Sequence, residues 1–153
     1  MTRKKVTEEQ VLNYFKNGFN CSQVVAMQWA EEFGYDEEEA ARVTSAFGGG
    51  MSLGGVCGAV SGAMVALGWK YGHSAAGELN KKEQVRRKAA EFQQKFAARR
   101  GSIVCRELLG YDFSKPGQRE AAQQSGATSS VCPGVVLDAL AVLDEVMAEE
   151  ATA

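Results

Sequence analysis

A chain of 153 residues, 45% hydrophobic and 24% charged, has the length and composition of one globular domain with its own core. Its net charge of −2 excludes an overall attraction to nucleic acid or to an anionic membrane. Only two prolines, among many Ala, Glu, Gln and Lys, favour helix throughout.

The opening residues MTRKKVTEEQ are charged and contain no apolar h-region, so no signal peptide is expected and the expected location is cytoplasmic. Thr7 is placed to cap a first helix, with Glu8 and Glu9 at its positive end. Val11, Leu12 and Phe15 form its apolar face, and Gly18 ends it. Asn20 is placed to cap a second helix running through Phe33, with Val24, Val25, Met27, Trp29 and Phe33 as its apolar surface. Asp36 caps a third, EEEAARVTSAF, again with acids in the first turn.

From Val43 to Trp69 no residue is charged, and a run of that length could cross a bilayer. Eight glycines interrupt it, including Gly48, Gly49 and Gly50, so a buried helix is expected here rather than membrane insertion. That fourth helix is expected over about Val56 to Tyr71. Gly54, Gly58 and Gly62 recur every fourth residue, as do Gly55, Ala59 and Ala63. Residues four apart share a helix face, and a face this small lets another backbone come close.

Residues 78 to 100 form a long basic amphipathic helix with Val85, Ala89, Phe92 and Phe96 on its apolar stripe. Its excess of Lys and Arg suits either an anionic partner or a solvated face. The solvated face is preferred, and no nucleic-acid partner is expected, because no aromatics are interleaved with the charges. Shorter helices follow near SIVCRELLG and KPGQREAAQQ, and a last one runs from Pro133 to about Glu149. No segment alternates as a strand would. The expected fold is all-α: a single domain over 1–153, a compact bundle of about five to eight helices around the Gly/Ala-rich fourth.

The four cysteines share one kind of position. Cys21 follows the cap Asn20, Cys57 follows Gly54 and Gly55, Cys105 lies three residues after Ser102, and Cys132 precedes Pro133. Each falls at an expected helix N-terminus, where unpaired N–H groups and the helix dipole favour thiolate over thiol. The thiolate is both a nucleophile and a metal ligand. Their wide spacing contains no C-x-x-C, so neither a thioredoxin-like pair nor a zinc ribbon is written in it. It remains compatible with a folded four-cysteine zinc or iron–sulfur site, with disulfides, or with buried inert thiols. His73 is the single histidine and is placed as a helix-end or surface residue. Ser61 is not in a G-x-S-x-G setting, and Gly48 to Gly50 lack the rest of a P-loop.

In order and spacing, Cys21, then Cys57-Gly58-Ala59-Val60-Ser61-Gly62, then Cys105 and Cys132, resemble the C_GCAxxG_C_C proteins, a family described as redox-active. The resemblance covers nearly the whole chain. It implies a bacterial or archaeal cytosolic setting and redox chemistry at the cysteines, without naming a substrate or a redox partner. Three functions stand beside one another. In the first, Cys21, Cys57, Cys105 and Cys132 gather for thiol–disulfide or electron-transfer chemistry, with Cys57 at the centre and Gly58 and Gly62 beside any bound group. In the second, the same four cysteines hold an iron–sulfur cluster or zinc. In the third, the chain is a helical interaction module, a homodimer through its Gly/Ala face.

Overall fold

The computed structural model describes Arg3 and residues 5–148, so the expected helix end at Glu149 lies outside the described residues. Among them are eight α-helices: α1 (Glu8–Lys16), α2 (Cys21–Ala30), α3 (Glu37–Thr44), α4 (Gly58–Tyr71), α5 (Leu79–Arg100), α6 (Cys105–Leu109), α7 (Gln118–Gln124) and α8 (Ala127–Ala148). There is no strand among them, only an isolated antiparallel bridge between Val56 and Val104. The fold is all-α, as the composition and periodicity require.

The expected caps form. Thr7 with Gln10 and Asn20 with Gln23 each make a reciprocal capping box, and the Asp36 carboxylate accepts the Glu39 N–H. The second helix tightens into a 3₁₀ turn over Glu31–Phe33 and stops at Gly34, whose φ of 78° only glycine adopts freely. α4 lies at the centre, packed against α2, α5 and α8, with Ala59, Ala63, Ala66 and Leu67 fully buried. Trp29, Phe92, Phe96, Leu140 and Leu143 fill the core around it. Much of the basic face of α5 is paired. Arg99 and Arg100 reach Asp138 on α8 at 3.4 and 3.3 Å, and Arg99 also reaches Glu145 at 2.8 Å.

Two boundaries depart from the sequence expectation. The uncharged segment does not enter α4 at Val56. It closes α3, then makes a left-handed turn in which Gly49, Gly50, Met51 and Ser52 have φ of 66°, 65°, 57° and 67°. Met51 and Ser52 carry side chains in that conformation at a cost of roughly 1–2 kcal/mol each. The Gly55 N–H donates to the Gly50 carbonyl at 2.8 Å, and Arg106 donates to the Gly54 carbonyl at 3.0 Å, which holds the turn. Among the described residues no helix is long and apolar enough to cross a membrane. The second departure is α8, which begins at Ala127 rather than Pro133. Gly126, at φ 82°, ends α7's exit, and its carbonyl accepts the Ser130 N–H at 3.0 Å. The helix therefore starts before the proline, which sits in its second turn, where only one backbone hydrogen bond is lost.

The Gly/Ala face of α4 is covered from within the chain. A Cβ on Gly62 would lie 2.6 Å from the Ser22 carbonyl oxygen, and one on Gly58 would lie 3.2 Å from the Ser22 nitrogen. This face seats α2 within the chain.

Candidate functional site

Cys21, Cys57, Cys105 and Cys132 line one cavity of about 340 Å³. Each arrives by a different local device. Cys21 is the first residue of α2, anchored through Asn20, whose side-chain amide donates to the Ser45 carbonyl at 2.9 Å. The buried Ser22 hydroxyl donates to the Thr44 carbonyl at 2.8 Å. Gly58 then allows α4 to approach, since a Cβ there would already stand 3.4 Å from Cys21 Cβ.

Cys57 caps α4 and Cys105 opens α6. The Val56–Val104 bridge brings them together: the Cys57 N–H donates to the Ile103 carbonyl at 2.7 Å, and the Cys105 N–H to the Gly55 carbonyl at 2.6 Å. This register sets Cys105 opposite Gly55 and Cys57 opposite Ile103. It needs glycine at position 50, because a Cβ there would fall 2.9 Å from Cys105 Cβ.

Three cysteines therefore stand at helix N-termini and Cys132 does not. It lies inside α8, five residues after the helix begins. The expectation that N-termini make thiolates also reverses. Burial is the largest influence on Cys57, 5% exposed, and pushes its thiol up to about 11, although the Ala59 and Val60 N–H groups pull the other way. Burial, helped by the neighbouring cysteines, pushes Cys105 up to about 12. Taking the sulfur out of water outweighs the dipole. Cys21 is raised well above an ordinary thiol, first by donating a hydrogen bond to Cys132 and then by burial. Cys132 alone is lowered. The Cys21 thiol stabilises its thiolate, and Arg100 adds positive charge, against the opposing effect of burial. The one thiol lowered from its ordinary value is thus the one that lacks a helix N-terminus.

All four are free thiols. Among the described residues no three His, Cys, Asp or Glu side chains already stand in an arrangement that holds a metal ion. Gly58 lines the cavity, whereas Gly62 seats α2 against Ser22 and is not part of the lining. His73 is exposed and outside the lining.

The rest of the wall is largely apolar, including Phe15, Phe19, Leu108 and Val135, with Asn20, Gln123 and Thr128 as neutral polar groups. At the rim Arg119 stacks on Phe113, its guanidinium 4.4 Å from the ring centroid. Neither was singled out from the sequence. Arg119 lies in an exposed helical stretch with no motif around it, and only the fold sets it beside the thiols. A larger trough of about 560 Å³ along α1, bordered by Lys5, Glu9 and Asn13, contains no cysteine.

Neither a search of curated proteins nor one of solved structures gave a match. A family model described as "Putative redox-active protein (C_GCAxxG_C_C)" matches residues 19–146, a span that takes in all four cysteines and the cavity they line. The chain belongs to the C_GCAxxG_C_C family.

Proposed function

We propose that the protein is a thiol–disulfide redox protein in which Cys132 is the attacking thiolate and Cys21 the resolving thiol. What supports this reading is the convergence of four free thiols on one cavity, where Cys21 and Cys132 act on each other so that one thiol is raised and the other lowered. It displaces Cys57 from the central position the sequence suggested, because Cys57 is buried and its thiol is held protonated. Cys57 and Cys105 serve as the reduced inner wall.

The chemistry balances as follows. The Cys132 thiolate attacks one sulfur of an acceptor disulfide, forming a mixed disulfide and expelling the other half as a thiolate. That thiolate takes the Cys21 proton. Cys21 sulfur then attacks Cys132 sulfur, closing the Cys21–Cys132 disulfide and releasing the second half of the acceptor as a thiolate, which takes a proton from solvent. The protein gives up two electrons and the acceptor becomes two thiols. A reducing cytoplasm, the proposed setting, returns the pair to the dithiol.

The test is to oxidise the reduced protein with one equivalent of a small disulfide and map the linkage by peptide mass spectrometry. A single Cys21–Cys132 disulfide is expected, retained in Cys57→Ser and absent in Cys132→Ser. A Cys57–Cys105 linkage, or none, overturns the assignment.

A further inference from the structure

The cavity also carries information on what it accepts, and this step rests on the thiol–disulfide reading above. Cys57 is 5% exposed and the other three cysteines are only half-exposed, inside a space of about 340 Å³. A disulfide on the surface of a folded protein does not enter such a space, whereas one half of a small-molecule disulfide does. The wall it would meet is mostly apolar, and its single ionised member, besides any thiolate, is Arg119.

Arg119 is held in place without spending its donors. It makes a cation–π stack on Phe113 and, among the described residues, no ion pair. Gly49 of the left-handed turn packs against both, where a Cβ would stand 3.3 Å from a guanidinium nitrogen and 3.1 Å from the Phe113 ring. The planar fork is therefore fixed at the rim with its N–H groups unpaired, the arrangement that receives a carboxylate in a bidentate manner. Its charge also reaches inward, where it favours the thiolate of Cys105.

We infer that the acceptor is a small disulfide with an apolar body and an anionic, carboxylate-class group, which Arg119 holds at the rim while one sulfur meets Cys132. Atoms and electrons balance as in the exchange above: the S–S bond of the acceptor breaks, the Cys21–Cys132 bond forms, and two small thiols leave. A hydroperoxide needs neither the apolar room nor the cationic rim.

The experiment compares two chromogenic aromatic disulfides by stopped flow, the dianionic dithiobis-nitrobenzoate and the neutral dithiodipyridine. Each is reacted with the reduced full chain, and with its Arg119→Gln and Arg119→Lys variants. Arg119 is exposed, so neither change empties the core. The expected result is that Arg119→Gln lowers the ratio of the anionic to the neutral rate constant by roughly 3- to 10-fold, while Arg119→Lys keeps most of it. The preference should also shrink at high salt. An unchanged ratio, with dithiodipyridine still closing the Cys21–Cys132 disulfide, overturns the anionic acceptor and leaves the thiol reading standing. Failure of both reagents to close that disulfide in the unaltered protein overturns the thiol reading, and the acceptor with it.

Discussion

Replacing Gly62 by Ala tests whether helix packing builds the cavity. The added Cβ would lie 2.6 Å from the Ser22 carbonyl oxygen and 2.9 Å from Ser22 Cα, where ordinary contact begins at 3.4 Å. These neighbours are backbone, so no side chain can rotate away. α2 must retreat from α4 by about 0.8 Å. Overpacking of this kind costs about 1–3 kcal/mol, against a gain of up to about 1 kcal/mol from the better helix propensity of alanine. The expected net effect is a loss of roughly 1–2 kcal/mol. Gly68 supplies the control on the same helix, since a Cβ there meets nothing within 4 Å. Gly68→Ala should stabilise by about 0.5–1 kcal/mol. Urea unfolding of the reduced proteins measures both. Because the retreat carries Cys21 with it, Gly62→Ala should also raise the pH at which the most reactive thiol ionises. A Gly62→Ala variant as stable as Gly68→Ala, with unchanged thiol ionisation, would refute the reasoning.

Other expectations bear on the thiols. The alkylation rate of the most reactive cysteine should rise with pH to a midpoint below the ordinary thiol value of 9.0, because only the thiolate reacts and Cys132 is lowered. Cys21→Ala removes the hydrogen-bond donor and should move that midpoint up, and Cys132→Ser should leave only thiols that react above pH 9; a midpoint indifferent to both changes would contradict the pairing. The buried Cys57 thiol, near 9.0 when unfolded and about 11 when folded, favours the folded state in its protonated form. Its contribution is therefore complete below about pH 9 and is lost as pH rises toward about 11, a fall of about 2–3 kcal/mol that Cys57→Ala should not show in urea titrations across this range. Protein purified without oxygen should hold far less than one zinc or iron per chain by elemental analysis. Near-stoichiometric metal lost on Cys21→Ser would show that the thiols rearrange around an ion.

The parts of the fold written in local chemistry were legible. Thr7, Asn20 and Asp36 cap the helices they were expected to cap because side chain, first-turn partner and apolar face all lie within a few residues. The four-residue repeat of Gly58 and Gly62 announced a close approach, although nothing in the repeat named Ser22 as the neighbour. Non-local features escaped. The Val56–Val104 clasp is a single bridge with no strand pattern on either side. Pro133 reads as a helix start, yet Gly126 provides an earlier one. The ionisation order of the thiols was misjudged for a related reason. A helix N-terminus is visible in sequence, whereas the burial that overrides it, and the hydrogen bond between Cys21 and Cys132, exist only after folding.

The position of Cys132 in α8 also bears on when the proposed Cys21–Cys132 pair can form. Synthesis proceeds from the N-terminus, so Cys21, Cys57 and Cys105 emerge while the helix that carries Cys132 is still unmade. A thiol met by an oxidant during that interval has no lowered partner, and its mixed disulfide has no neighbour poised to resolve it. Under the proposed exchange, docking of α8 both buries the first three thiols and sets Cys132 beside Cys21, so that maturation of the fold and onset of reactivity are one step.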